Sequence, residues 1–65
     1  MIKYYETESC YYKVDFSNRK YDVIYKPTMN IHTDERLPYG CNIDYFMIHN
    51  YKEITEEQYN YMLEI

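Results

Sequence analysis

The sequence predicts an α+β fold, in which an antiparallel sheet of three or four strands carries one short C-terminal helix on one face. Two segments in the first half of the chain alternate apolar and polar residues, and a capping sequence near the end marks the start of a helix. Alternation with a period of two indicates half-buried strands. A chain of 65 residues suits one domain, which we expect to span residues 1–65.

The two clearest strands are predicted at Cys10–Phe16 and Tyr21–Lys26, where every second residue is apolar. The polar residues between them, 17–20, predict a turn that joins the two strands into a hairpin. We expect Phe16 to lie opposite Tyr21, because that register sets apolar residues against each other along one face.

The same register places Asp15 opposite Asp22 on the outer face of the hairpin. Like charges directly across a strand pair are mildly destabilising. We expect Lys13 or Lys20, at diagonal positions, to offset this repulsion, and the alternative is a contact site for a cationic group.

Two further strands are predicted, at Ile2–Glu8 and at Asn42–His49. The first is rich in Tyr and Ile, and the second is apolar on both faces in its last half. A strand that is apolar on both faces is typical of the centre of a sheet or of a position under a helix. We therefore expect the C-terminal helix to cover Asn42–His49.

The C-terminal helix is predicted to begin at Thr55. Thr55 and Gln58 have the spacing of a capping box, in which each side chain bonds the backbone N–H of the other residue. Tyr59, Met62 and Leu63 then form an apolar stripe at helical spacing, which is more often a core face than a binding face. A helix of about ten residues needs tertiary packing to persist in water.

The segment Pro27–Cys41 is predicted to be irregular. Pro27 ends the preceding strand, and the sequence from Leu37 to Gly40 suits a turn. Loops longer than about 12 residues are uncommon in compact domains and are often functional. A binding loop and a plain connection both remain open.

Charge is distributed unevenly along the chain. Residues 1–52 hold all seven basic side chains and seven of the eleven acids, whereas residues 53–65 hold four glutamates and no base. The net charge of −4 therefore comes from the last segment. Direct nucleic-acid binding, which needs Lys and Arg to neutralise phosphates, is not expected. A basic protein partner is compatible with this charge.

No cofactor or metal site is predicted. Cys10, His32, Cys41 and His49 are of the types that bind zinc, but none lies in the close local pair that structural zinc sites use. Catalysis by Cys or Ser needs an adjacent base and an orienting group, and no spacing in the sequence indicates one. We expect a protein that is not an enzyme.

The expected compartment is the cytoplasm. No stretch resembles a signal peptide or a membrane span, and the longest apolar run has four residues, Tyr45–Ile48. Cysteines stay reduced in that compartment, so Cys10 and Cys41 are expected to be small core residues.

Tyrosine is the most unusual feature of the composition, with 11 residues beside two phenylalanines and no tryptophan. So many rings exceed what one small core encloses, and exposed tyrosines make good interface anchors. Codon bias or shielding of a thin sheet would also explain the excess. The candidate partner-binding residues are Tyr4, Tyr5, Tyr11, Tyr39, Tyr51, Tyr61, Glu53, Glu57 and Glu64.

The leading functional hypothesis is a small binding protein that inhibits or modulates a larger host protein or nucleoprotein. Small size, the absence of a catalytic motif and an aromatic-rich, mildly acidic composition motivate this hypothesis. A residue usage dominated by A/T-rich codons suits a virus, a plasmid or a low-GC bacterium as the source, and a phage- or mobile-element-encoded anti-defence or host-takeover factor would fit. In a sharper version, the acidic side chains mimic the phosphates of a nucleic acid. The alternative is a structural protein that self-associates, as a homodimer or a larger assembly, through sheet edges or tyrosine faces.

Overall fold

A computed structural model describes residues 1–65 and shows a mixed fold built on one antiparallel sheet. The sheet has five strands in the order β4-β3-β2-β1-β5, rather than the predicted three or four. Two helices, rather than one, accompany the sheet. The elements in chain order are β1 (Ile2–Glu6), β2 (Cys10–Asp15), β3 (Lys20–Tyr25), β4 (Ile31–Arg36), α1 (Ile43–Ile48), β5 (Lys52–Ile54) and α2 (Glu56–Glu64).

Each face of the sheet is covered by a different helix, so the core has two halves. On the α1 face, Tyr5 and Val14 pack against Phe46 of α1. On the α2 face, Ile24 and Ile54 pack against Tyr59 of α2. This division follows from strand geometry, because successive side chains point to opposite faces of the sheet.

The prediction of a strand at Asn42–His49 is wrong, because this segment forms α1. Asn42 is extended at the N-cap position, and Asp44 lies in the first turn, where a negative charge is favourable. A short apolar run does not distinguish a buried strand from a helix. Phe46 alone is buried, while Met47 and Ile48 are 68% and 74% exposed.

The prediction of an irregular Pro27–Cys41 segment is also wrong in part, because its middle forms β4. All six residues of β4 are exposed, so no alternation of apolar and polar residues marks the strand in the sequence. A bulge interrupts its pairing with β3. There Asp34 has a φ of 56°, and its backbone N–H donates to Asp22 Oδ1 at 3.0 Å. Bulges of this kind are common at sheet edges.

The β2–β3 hairpin is confirmed, but its register differs by two residues from the prediction. Lys13 lies opposite Asp22, and Asp15 lies opposite Lys20. A shift of two residues keeps every side chain on its predicted face. It also replaces the predicted pair of like charges, Asp15 and Asp22, with two pairs of opposite charge.

The turn of this hairpin explains the register. Asp15 Oδ1 accepts hydrogen bonds from the backbone N–H groups of Ser17 and Asn18, both at 3.1 Å. Arg19 then adopts a φ of 56°, in the left-handed region. Asp15 therefore ends β2 and turns the chain one residue earlier than the polar run suggests.

The prediction for the start of α2 is confirmed. Thr55 Oγ1 accepts from the Gln58 backbone N–H at 3.1 Å, and the Gln58 side chain accepts from the Thr55 backbone N–H at 2.8 Å. Tyr59 is buried and Met62 half-buried, as the stripe predicts, whereas Leu63 is 43% exposed. Neither α1 nor α2 has the length or the apolar character to cross a membrane.

Candidate protein-interaction site

The tyrosines are divided between the core and the surface. Two are buried, five are half-buried and four are exposed. The buried pair consists of Tyr5 and Tyr59, and the exposed set consists of Tyr25, Tyr39, Tyr45 and Tyr61.

Tyr5 was predicted as a surface anchor, and its burial shows that this prediction is wrong. Its side chain is 3% exposed and stacks on Phe46, with ring centroids 4.6 Å apart. Tyr51 is half-buried in the same cluster, with its ring edge-on to Phe46 at 4.8 Å. Both rings therefore hold α1 on the sheet.

Tyr4 also has a structural role, on the opposite face. Its hydroxyl donates to the Glu56 carboxylate at 2.9 Å, and its ring lies 5.4 Å from that of Tyr59. Burial and the Glu56 carboxylate together raise the pKa of Tyr4 to about 12. The residue ties the first turn of α2 to β1.

Two other predicted residues lie apart from the rest. Tyr39 is fully exposed in the turn that follows β4, next to Lys20 and Arg36. Glu53 lies on the α1 face, where its carboxylate pairs with Lys3 at 3.1 Å. Neither residue lines the groove that lies beside α2.

The remaining predicted residues meet at α2. A groove of about 300 Å³ lies between this helix and the sheet, and its lining includes Tyr11, Glu57 and Tyr61. Glu6 of β1 completes the groove and is not among the predicted residues. Strand alternation places Glu6 on the same face of β1 as the predicted residue Tyr4, and this spacing could have indicated it. We call this feature the acidic groove, and the full lining is Glu6, Tyr11, Ile54, Glu57, Gln58, Tyr61 and Met62.

One cation of the chain already lies beside the acidic groove. The Lys26 ammonium pairs with Glu6 at 2.8 Å and lies 4.7 Å from the centre of the Tyr11 ring. The ion pair lowers the pKa of Glu6 and raises that of Lys26, so both groups are charged near neutral pH. Lys52 approaches Glu6 at 4.0 Å from the outer side.

The exposed side of α2 extends the groove. Glu57, Tyr61 and Glu64 follow each other at i, i+4 and i+7, which places them along one stripe of the helix. Tyr61 is 62% exposed. Neither Glu57 nor Glu64 has an ion-pair partner within the chain. This stripe offers two free carboxylates on either side of an aromatic ring.

The residues considered for metal binding do not form a cluster. No three His, Cys, Asp or Glu side chains are arranged to hold a metal ion. Cys10 is buried and Cys41 half-buried, and both are free thiols.

Fold and site together describe a small antiparallel sheet with one helix on each face and an acidic, aromatic groove beside the second helix. Comparison with protein families, with curated proteins and with solved structures finds no match to this chain.

Proposed function

We propose that the chain is a non-enzymatic protein-binding domain whose acidic groove takes a basic segment of a larger protein or nucleoprotein. The observation that carries this proposal is the side-by-side placement of Glu57 and Tyr61, both exposed, in one groove. A carboxylate beside an aromatic ring suits an arginine side chain, which pairs with the acid and stacks on the ring.

Lys26 is an internal example of the same recognition. Its ammonium combines an ion pair with Glu6 and a position over the Tyr11 ring. Glu57 and Tyr61 present the same two groups on the opposite wall of the groove, without a cation of their own. A basic side chain of a partner would extend this pattern across the groove.

Inhibition or modulation of the partner follows from this mode of binding. A basic segment that docks on Glu57 and Glu64 is no longer free to contact phosphates. The chain would thus compete with nucleic acid for a host protein or nucleoprotein, as expected of a phage or mobile-element factor. Exposed ion pairs are screened by salt, so such competition weakens as ionic strength rises.

The proposal is tested with a defined probe, a fluorescent peptide that carries several arginines. The reference is the same peptide with citrulline, which keeps the shape of arginine and lacks its charge. We expect the arginine peptide to bind and the citrulline peptide to bind at least tenfold more weakly. Equal affinity for the two peptides, or no binding of either, would reject the proposal.

Matched variants locate the contact. Glu57→Gln and Tyr61→Ala should each weaken arginine-peptide binding, because they remove the free acid and the exposed ring. Asp44→Asn and Tyr39→Ala make the equivalent changes, carboxylate to amide and tyrosine to alanine, outside the groove and should leave the affinity unchanged. Equal losses in both pairs of variants would indicate a nonspecific charge effect.

Self-association is the second candidate, and the exposed edge of β4 favours it. β4 is one of the two outer strands of the sheet and is longer than the other, β5, and its free edge is a template for pairing with another strand. The bulge at Asp34 opposes such pairing, because it interrupts the regular edge. Light scattering during size-exclusion chromatography separates the candidates: a stable oligomer without any partner favours assembly.

A further inference from the structure

A second cavity lies on the α1 face of the sheet, on the opposite side from the acidic groove. Its volume is about 150 Å³. An engineered apolar cavity of roughly this volume accommodates benzene. We call it the tyrosine cup: its walls are Tyr12, Tyr21, Tyr45 and Tyr51, and its floor includes Val14 and Phe46.

The four tyrosine rings form a continuous arc. Tyr12 lies 6.0 Å from Tyr21 and 5.8 Å from Tyr51, measured between ring centroids. Tyr51 in turn lies 6.3 Å from Tyr45, which brings α1 into the arc. The three interplanar angles lie between 46° and 55°. All four rings line the same cavity.

Three rings of the cup, those of Tyr12, Tyr21 and Tyr51, are held as neutral phenols. Burial raises the pKa of Tyr12, Tyr21 and Tyr51, and the Glu35 carboxylate contributes to the shift at Tyr21. The faces of neutral aromatic rings carry partial negative charge and attract cations. An aromatic cage is the usual protein site for quaternary ammonium groups.

The charged groups around the cup are consistent with a cation that carries no N–H group. No charged side chain lines the cavity, and Glu35 lies opposite Tyr21 on the neighbouring strand. Arg19 does not line the cavity but lies next to it, because its guanidinium donates to the carbonyl oxygens of two lining residues, Pro38 and Cys41, at 2.9 and 3.0 Å. A primary ammonium entering the cup would find no carboxylate in the lining to replace its water.

From these observations we propose that the tyrosine cup binds a quaternary ammonium group. A trimethylated ammonium presents an apolar surface with a diffuse positive charge, and it has no donor that must be satisfied. This chemistry occurs both in free choline-like molecules and in trimethylated lysine side chains. The proposal is independent of the acidic groove, since the two sites lie on opposite faces.

Titration followed by protein NMR tests the proposal. The probes are choline, its neutral carbon isostere 3,3-dimethylbutan-1-ol, and one peptide with either trimethyllysine or lysine. We expect choline or the trimethyllysine peptide to shift the resonances of the cup residues. Its affinity, obtained from the titration, should be at least about tenfold higher than that of its uncharged or unmethylated counterpart. Binding of choline alone identifies a free small molecule as the source, and preference for the peptide identifies a modified protein.

Two results would overturn the proposal. The first is equal binding of choline and its isostere, which would make the cup a plain apolar pocket. The second is the absence of shifts with both trimethylated probes.

Variants of one rim residue separate the ring from its hydroxyl. Tyr45 is 37% exposed, so its replacement is compatible with a folded chain. Tyr45→Leu should weaken binding about tenfold, whereas Tyr45→Phe and the distant Tyr39→Leu should leave it within about twofold. Circular dichroism confirms the fold of each variant, and Tyr21→Leu provides a second rim variant. An equal loss in Tyr45→Phe and Tyr45→Leu would contradict recognition by the ring.

Discussion

The ring of Tyr5 stacks on the ring of Phe46, with centroids 4.6 Å and planes 9° apart. This pair joins the interior strand β1 to α1, two elements separated by most of the chain. Phe46 also meets the rings of Phe16 and Tyr51 edge-on, at 5.6 and 4.8 Å. One side chain of α1 thus holds the helix on the sheet.

Phe46→Ala should therefore destabilise the whole domain. The loss of a buried phenylalanine costs about 3–5 kcal/mol, and a domain of this length is stable by only about 3–10 kcal/mol. Unfolding in urea, followed by circular dichroism, measures the change. Met47→Ala, on the exposed side of the same helix, is the control and should change the free energy of unfolding by less than about 0.5 kcal/mol. Similar effects of the two changes would contradict the placement of α1.

Tyr59→Phe should leave stability unchanged or increase it. The Tyr59 hydroxyl is buried and has no hydrogen-bond partner, so its removal relieves a desolvation cost. Tyr4→Phe makes the same chemical change, but removes the bond to Glu56 and should cost about 1 kcal/mol. Thermal unfolding of the two variants checks the contrast. A marked loss in Tyr59→Phe would show that this hydroxyl has a partner.

Thr55→Ala should fray the start of α2 and make the adjacent wall of the acidic groove less ordered. Loss of a threonine N-cap costs about 1 kcal/mol. Hydrogen exchange of the Gln58 and Tyr59 amides, which bond Thr55, should accelerate, while exchange in β2 and β3 should change no more than global stability requires. Uniform acceleration across the chain would mean that α2 does not open separately from the sheet.

Alkaline pH should unfold the chain through phenols that are buried, as in Tyr59, or half-buried, as in Tyr4. The pKa of Tyr4 and of Tyr59 is raised from 10.0 to about 12 by burial, with smaller contributions from nearby carboxylates. A raised pKa means that the folded state keeps the proton longer. The resulting stability is therefore present below pH 10 and is lost as the pH rises toward 12.

Tyrosinate absorbance and circular dichroism, recorded together, follow this transition. Ionisation of the buried phenols should coincide with loss of structure, and Tyr59→Phe should move the transition to higher pH. Complete ionisation of all tyrosines near pH 10 without unfolding would contradict the burial of these hydroxyls.

Local signals in the sequence were sufficient to predict some elements. The capping box at Thr55 and Gln58 depends only on residues within one turn, and the alternation in β2 and β3 reflects one buried side on each strand. These patterns survive in the fold because tertiary packing does not oppose them.

Other elements depend on relationships that local patterns do not contain. β4 is an exposed edge strand, and only its pairing with β3 makes it a strand. The apolar run of α1 is compatible with a helix and with a strand. The register of the hairpin depends on hydrogen bonds from the turn to Asp15, which outweigh the apolar match of Phe16 with Tyr21.

The proposed binding site could be predicted only in part, because some of its residues come together only in the fold. The acidic, aromatic character of the last segment indicated Glu57, Glu64 and Tyr61 as candidate binding residues. The sequence does not assign Tyr5 to the core, because the apolar run of α1, the helix that covers Tyr5, predicts a strand. Glu6 joins the groove only because β1 lies beside α2.

Chemical-shift mapping with the arginine peptide tests the central claim most directly, because it locates the contact on the surface. The largest shifts should fall on Tyr11 and on the α2 residues from Glu57 to Glu64, and they should diminish as salt is added. Shifts confined to the α1 face or to the β4 edge, or shifts that salt does not reduce, would contradict binding in the acidic groove.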